Sequence, residues 1–189
     1  MSTAPGPPPP LAWVDLEMTG LDPDRCVVLE VAAMITDGDL NEVATFEGLV
    51  IHHDAPVLEA MDAWPKEHHA KSGLTAASLR STVDTAAAEE ALLAFLMAHT
   101  KPGESPLCGN SVHVDRAFLR RHLPRVEAHF HYRNVDVSTV KELAKRWYPG
   151  LPLFQKQQTH RALDDIRESL AELRYYRERV FLPPPAASD

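Results

Sequence analysis

The sequence predicts an α/β protein in which a mixed central sheet is flanked by helices. Three strand-like apolar runs come first, and segments of helical periodicity then alternate with short strand-like segments. At 189 residues the chain can bury one core of useful size and is short for two domains. We therefore expect a single domain over residues 11–182, between disordered Pro/Ala-rich tails at 1–10 and 183–189 that have too few apolar side chains to fold.

Strands are expected where short apolar runs end in turn residues, at 11–18, 27–36, 44–52 and 107–109. Helices are expected at 85–99, 114–122 and 162–180. A further helix ends at Trp147, and either Asp136 or Ser138 caps its start. The final helix places its apolar side chains on one stripe, at Leu163, Ile166, Leu170, Leu173 and Tyr176.

Composition and charge exclude several classes of protein. The chain is 44% hydrophobic and 24% charged, which is typical of soluble globular proteins, and its net charge is −8. Because no basic stripe is present, we do not expect it to wrap a long nucleic acid; a nucleic-acid ligand should be short, or bound mainly through metal. No signal peptide and no membrane-spanning stretch is visible. Cys26 and Cys108 stand alone, which argues against disulfides and structural zinc and fits a reducing, cytoplasmic location.

Asp15 and Glu17 are the first candidate functional residues. They lie two apart in a predicted strand, so both carboxylates project from the same face. Two adjacent anions repel each other, and a divalent cation between them removes that penalty. The alternative interpretation is an edge strand whose outer face is solvated, which for this pair alone is the commoner case.

Two further acidic positions occur at predicted helix starts. Asp115 follows a turn into a short helix, and Asp165 opens the last helix five residues after His160. Helix capping or the helix dipole is the alternative explanation for Asp115. At the last helix the alternative is a capping Asp164 beside a surface His160, because a lone histidine is seldom catalytic. The pairs at 52–53 and 68–69 lack metal-binding spacing on a helix, so we expect most of the other histidines to be surface residues.

Together, the four acids and the histidine have a shared chemical use. Two divalent ions about 3.5–4 Å apart can hold a phosphodiester between an attacking water and a leaving oxygen. A histidine can accept the proton of that water near neutral pH. The sequence therefore predicts metal-dependent phosphodiester hydrolysis.

Five segments of the chain, in order, resemble the oligoribonuclease family of DEDDh 3′→5′ exonucleases. They are WVDLEMTGLD at 13–22, CGNS at 108–111, FHYR at 130–133, DVSTVKEL at 136–143 and HRALDDIRES at 160–169. The resemblance covers nearly the whole chain, from about residue 11 to 181. It implies an RNase H-like exonuclease fold, a homodimer, and hydrolysis of short oligoribonucleotides to 5′-mononucleotides. Diribonucleotides are the implied favoured substrates, including the linear product of cyclic di-GMP breakdown.

The resemblance also implies roles for individual residues. The four acids and the histidine after which the DEDDh group is named correspond to Asp15, Glu17, Asp115, Asp165 and His160. Asp15, Glu17 and Asp165 should bind one Mg²⁺ or Mn²⁺ ion. Asp15 should also contact a second ion, which Asp115 should hold directly or through water, and His160 should activate the attacking water.

Further implied contacts concern the substrate. Leu21 resembles a wedge between two bases, Trp64 an aromatic cover, and Tyr132 a residue reaching in from the partner subunit. The implied 5′-phosphate cap consists of Ser111, Arg133, Ser138 and Thr139. Without the resemblance, Trp64 and Leu21 are ordinary apolar residues and Arg133 an ion-pair partner. Two positions depart from the family pattern, namely Asn134 in place of a bulky residue and Pro65 after Trp64.

Two alternatives remain at this point. A DEDDh exonuclease that acts on longer DNA or RNA, such as a proofreading enzyme, would have the same acidic residues. A non-catalytic nucleotide-binding scaffold could keep the same fold. The intact acids argue against the scaffold, and a cap at the 5′ end would obstruct a long strand.

Overall fold

Five strands form one mixed sheet in a computed structural model of the chain, which describes residues 6, 8–155 and 161–183. The strands lie in the order β3-β2-β1-β4-β5, with antiparallel pairing among β1, β2 and β3 and parallel pairing from β1 to β4 and from β4 to β5. Their bounds are β1 Leu11–Met18, β2 Val28–Thr36, β3 Glu42–Val50, β4 Pro106–Gly109 and β5 His131–Asp136. The carboxyl ends of β1, β4 and β5 therefore share one edge.

Eight helices surround this sheet in the described part of the chain. In chain order they are α1 Ala55–Glu59, α2 Ala63–Lys71, α3 Leu74–Arg80, α4 Thr85–His99, α5 His113–His122, α6 Pro124–His129, α7 Val137–Trp147 and α8 Ala162–Val180. No helix in the described ranges is both long and apolar enough to cross a bilayer.

The alternation of side chains along β1 divides the core into two layers. Val14 and Leu16 pack against α4, α5 and α6 on one face of the sheet. Trp13 points to the opposite face, where it packs with α7 and α8. Because Asp15 and Glu17 follow Trp13 at a spacing of two, they share the face covered by α8.

The α/β fold with a mixed sheet is confirmed, and every predicted strand and helix is present within about two residues. Asp136 caps α7, where its side chain accepts a hydrogen bond from the Ser138 amide. The sequence analysis missed α1, α2, α3, α6 and β5. In α2 only Pro65 and His69 are buried, and β5 has no fully buried residue, so neither shows an apolar period.

Candidate active site

Three carboxylates converge on the carboxyl half of β1. Asp15 and Glu17 project toward α8, and Asp165 lies in the first turn of that helix. One oxygen from each of these three side chains lies within 4.8 Å of the other two. The edge-strand alternative is wrong, because β1 is the central strand and pairs with β2 on one side and β4 on the other.

Asp115 reaches the same strand from the opposite layer. It lies in the first turn of α5, is 6% exposed, and its Oδ1 accepts a hydrogen bond of 3.1 Å from the Leu16 amide. Leu16 stands between Asp15 and Glu17, so the fourth acid is bonded to the backbone between them. Asp115 therefore does not cap its helix; it is a long-range contact to the strand that carries the other acids.

Burial opposes the ionisation of two of these acids. It is the largest cause that raises the pKa of Glu17 to about 8, and the neighbouring carboxylates of Asp165, Glu30 and Asp115 raise it further. Burial likewise raises the pKa of Asp115 to about 7, although its hydrogen bond from Leu16 acts in the opposite direction. Without a counter-cation, this cluster holds protons at neutral pH.

The donor set fits a hard divalent cation. All the ligand atoms are carboxylate oxygens, which Mg²⁺ and Mn²⁺ prefer over sulfur. A cation bound among Asp15, Glu17 and Asp165 would relieve the repulsion that raises the pKa of Glu17. The arrangement is therefore chemically suited to a metal centre.

An ion pair between a buried glutamate and a partly exposed arginine fixes the start of α8. Glu30 on β2 is 1% exposed and lies beside Glu17 in the sheet register. The Arg161 guanidinium donates to it through Nε at 3.2 and 3.1 Å and through Nη2 at 2.6 Å, and the Ala162 amide adds a bond of 3.3 Å. Since Arg161 is the N-cap of α8, this pair sets where Asp165 enters the site.

A pocket of about 480 Å³ adjoins the carboxylates. It is lined by Glu17, Met18, Gly20, Leu21, Asp62, Trp64, Pro65 and His69. Leu21 and Trp64 are 75% and 60% exposed, although both are large and apolar. The Trp64 ring stacks on His68 at a centroid distance of 3.9 Å, which fixes the face it presents. The two residues matched to base contacts therefore lie in one pocket.

Two of the described histidines, His129 and His69, are buried and are exceptions to the expected surface location. His69 is 1% exposed; its Nε2 donates to the Met18 carbonyl at 2.9 Å, and its Nδ1 lies 3.9 Å from Glu17 Oε2. His69 thus links α2, which carries Trp64, to the strand that carries the acids. Pro65 is buried in the first turn of the same helix, where an intrahelical amide donor is not required.

Three of the four residues matched to the cap lie just beyond the carboxyl ends of β4 and β5, whereas Arg133 lies within β5. Ser111 follows β4, and Ser138 and Thr139 open α7 directly after β5. Arg133 lies on β5 with its guanidinium 4.9 Å from the centre of the Tyr132 ring. Tyr132 is 73% exposed on this edge strand. The Asn134 side chain accepts a hydrogen bond of 2.6 Å from Arg116, so the departure from the family pattern creates a surface contact.

One expected residue lies outside the described part of the chain, and the sequence analysis missed three residues at the site. His160 lies outside the described residues, so its role stays a prediction. The sequence analysis missed Glu30, Arg161 and His69. Glu30 left a signal, namely a single charge within the apolar run of β2, whereas nothing in the local pattern distinguished His69 from the other histidines.

Comparisons with known proteins identify the family of the chain. The exonuclease family model RNase_T matches residues 12–173. Oligoribonuclease from Pseudomonas paraeruginosa is 55% identical over 172 residues, covering 90% of this chain and 96% of the relative. Oligoribonuclease from Dichelobacter nodosus is 49% identical over 174 residues, covering 92% and 96%.

Solved structures show the same fold at low identity. Escherichia coli exonuclease I in complex with a 5cy-dT13 oligonucleotide superimposes with a TM-score of 0.70 at 16% identity, covering 92% of this chain and 41% of that chain. The zinc-bound form of the E. coli exonuclease I–ssDNA complex gives 0.71 at 15% identity and the same coverage. This chain thus spans about two-fifths of exonuclease I.

The family model covers most of the chain, and about half of the residues are identical to oligoribonucleases over nine-tenths of its length. The chain therefore belongs to the oligoribonuclease family, and it is a 3′→5′ exoribonuclease.

Proposed function

We propose that this enzyme releases 5′-mononucleotides from very short oligoribonucleotides and favours diribonucleotides, including linear di-GMP. The observation that carries the proposal is the convergence of the Asp15, Glu17 and Asp165 carboxylates beside the pocket of Leu21 and Trp64. The acids can hold the metal that hydrolysis requires. The pocket has room for bases and joins the acids through Glu17.

The four acids would hold two divalent ions, Mg²⁺ or Mn²⁺. Asp15, Glu17 and Asp165 would bind the first, and Asp15 with Asp115 the second. Bound ions of this kind lower the pKa of water and neutralise charge that builds on a phosphate. Asp115 can keep its hydrogen bond from Leu16 in this role, because that bond uses only one of the lone pairs on its two carboxylate oxygens.

The remaining chemistry belongs to proton transfer and base stacking. His160 would accept the proton of the attacking water, since an imidazole is largely neutral near pH 7. Leu21 would lie as a wedge between the two bases and Trp64 would cover one of them. Stacking of a base on an aromatic ring contributes about 1–3 kcal/mol whatever the sequence. Substrate choice then depends on length and not on base identity.

The order of the strands supports a short substrate. Asp15 is on β1, Ser111 follows β4, and Ser138 follows β5, so the acids and the cap lie at one edge of three adjacent strands. Neighbouring strands are about 4.8 Å apart, so the acids and the far side of the cap are separated by about 10 Å. That span leaves room for little more than one nucleotide between the cleaved phosphate and the 5′-phosphate.

Two features of the proposal concern the whole protein. Tyr132 would complete the site of a partner subunit in a homodimer, and its high exposure on an edge strand suits that role. Cys26 and Cys108 are both free thiols, which agrees with action in the reducing cytoplasm.

Comparing substrates of different length tests the proposal. With Mn²⁺ present, purified enzyme should hydrolyse a diribonucleotide with a much higher kcat/KM than RNA or DNA strands of roughly twenty residues, because a capped site excludes long strands. Asp165→Asn is the control for contaminating nucleases and should be inactive. A preference for the longer strands would support the proofreading type instead, and absence of mononucleotide product would support a scaffold.

A further inference from the structure

Asp136, at the carboxyl end of β5, accepts hydrogen bonds from two separate elements. From the loop after β4, the Ser111 amide donates to its Oδ1 at 3.0 Å and the Val112 amide to its Oδ2 at 3.2 Å. From the start of α7, the Ser138 amide and hydroxyl donate to Oδ1 at 2.9 and 2.6 Å. One carboxylate therefore ties together the two segments that carry three of the four matched cap residues, Ser111, Ser138 and Thr139.

The loop after β4 needs this support. Ser111 has a φ of 52°, a left-handed conformation that non-glycine residues rarely adopt. On the other side of the loop, the side-chain Nδ2 of Asn110 donates to Ser169 Oγ at 2.8 Å and to Glu172 Oε2 at 3.2 Å, and both acceptors lie on α8. The loop is thus held from two sides, and Asp136 makes the bonds at the strained residue itself.

These bonds also determine which groups of the cap residues can still donate a hydrogen bond to a phosphate. The proton of the Ser138 hydroxyl is committed to Asp136, and so is the Ser111 amide. The hydroxyls of Ser111 and Thr139 make no hydrogen bond to any residue within the described ranges, and both residues are exposed. A phosphate at this position would therefore take its hydroxyl donors from Ser111 and Thr139.

We infer that Asp136 is a positioning residue that sets the enzyme's preference for a 5′-phosphorylated substrate. It holds Ser111 and the first turn of α7 at the spacing a phosphate requires, and it does not itself contact the phosphate. A carboxylate that accepts four hydrogen bonds has its charge compensated, so it can lie beside a phosphate site with little repulsion. The inference rests on the proposed function, because it assumes that the cap binds the 5′ end.

Two matched substrates test the inference. The kcat/KM values are measured for a diribonucleotide with and without its 5′-phosphate, and their ratio gives the 5′-phosphate preference. Asp136→Asn keeps the shape of the side chain but places an NH₂ group against an amide donor, and should lower the ratio by about 10-fold, mainly through KM for the phosphorylated substrate. Asp136→Ala should lower it at least as far.

Asp37→Asn is the matched control. Asp37 also accepts hydrogen bonds from backbone amides, those of Asp39 at 2.9 Å and Asn41 at 2.8 Å, but it lies in the turn after β2. Its substitution should leave the ratio at the wild-type value. Circular dichroism of each variant shows whether the fold is intact, and Asp136→Asn carries the test if Asp136→Ala does not fold.

The outcomes separate this inference from the function on which it rests. If Asp136→Asn keeps the wild-type ratio, Asp136 has only a structural role and the inference is wrong. This outcome includes the case in which kcat/KM falls by the same factor for both substrates. If the wild-type enzyme itself has a ratio near one, the 5′-phosphate cap is wrong, and this inference fails together with that part of the proposed function.

Discussion

Glu17 and Asp115 couple the stability of the protein to pH and to metal. Their pKa values are raised to about 8 and about 7, chiefly by burial, so the folded protein without metal binds protons that the unfolded chain releases above about pH 4.5. Stability from these groups is fully present at low pH and is lost as pH rises through 7 and 8. Metal bound at the proposed site would replace the protons and reverse this dependence.

We therefore expect the metal-free protein in EDTA to lose at least about 4 °C in Tm between pH 5.5 and 8.5. In saturating Mn²⁺, the gain in Tm over EDTA should increase across the same range. Differential scanning calorimetry at a series of pH values measures both. Glu17→Gln should flatten the metal-free slope. His129→Gln is the control, because burial lowers the pKa of His129 and its titration acts in the opposite direction. A metal-free Tm that rises toward pH 8.5 would contradict the assignment.

Substitutions of His160 and Asp165 should have different effects on kcat and on metal affinity. His160→Ala should bind Mn²⁺ with unchanged affinity but lower kcat by about 10²–10⁴-fold, the usual cost of losing a general base. Asp165→Asn should lose both activity and Mn²⁺ affinity, because it removes a ligand. Calorimetric metal titration and steady-state kinetics separate the two. Substitution of the exposed His99 by Ala is the histidine control, and a fully active His160→Ala would show that another group takes the proton.

At the scale of elements, the Glu30–Arg161 pair determines where α8 begins. Glu30→Gln should lower the free energy of unfolding by about 2 kcal/mol, because it removes the charge that faces a partly buried guanidinium. It should also weaken Mn²⁺ binding, since Asp165 follows Arg161 by one helical turn. Chemical denaturation and calorimetry measure the two effects.

Two variants serve as the controls for that prediction. Asp39→Asn breaks an exposed ion pair of 2.7 Å with Arg177 and should cost less than about 1 kcal/mol without changing metal affinity. Gly48→Ala acts on Glu30 from the other side, because an added Cβ would lie 2.6 Å from Glu30 Oε1. It should reproduce the loss of metal affinity. Unchanged affinity in both Glu30→Gln and Gly48→Ala would show that the Glu30–Arg161 pair does not position Asp165.

The elements that could be predicted from the sequence are those with a clear apolar period. The stripe of α8 and the alternation in β1 specify both their type and their buried face. The polar edge strand β5 and the mixed surface of α2 have no such pattern, because tertiary contacts and not local burial hold them in place.

The site was predictable to a smaller degree. The spacing of Asp15 and Glu17 predicted a shared face, but no local rule brings Asp115 across 99 residues to the Leu16 amide. The shared chemistry of the acids and the family resemblance grouped Asp115 with the other carboxylates, but neither predicted its bond to Leu16. Asp136 was recognised only as a helix cap, since its bonds to Ser111 and Val112 depend on the parallel pairing of β4 and β5.

For the whole molecule, the first expectation concerns the proposed homodimer. If Tyr132 completes the partner's site, Tyr132→Ala should lower activity by roughly 10-fold or more without loss of metal binding, because a stacking contact is removed. Mixing it with inactive Asp165→Asn subunits should restore activity, because a heterodimer then holds one site with intact acids and a Tyr132 from its partner. Trp147→Ala, at another exposed aromatic, should behave as wild type in the same mixture. Failure of complementation by mixed dimers would place Tyr132 in its own subunit's site.

The second expectation follows from the net charge of −8, which leaves little long-range attraction for a polyanion. A diribonucleotide offers few phosphates, so log(kcat/KM) should fall with log[KCl] at about 0.7 per phosphate neutralised, measured at constant free Mn²⁺. Removing the 5′-phosphate should reduce the slope by about 0.7, the value for one phosphate, so the slope reports how many phosphates the enzyme neutralises. The charge of the molecule and the length of its substrate then have one explanation: a site that recognises both ends of a dinucleotide needs no basic surface to capture it. A slope equivalent to six or more phosphates would mean that the enzyme binds strands longer than this site can cap.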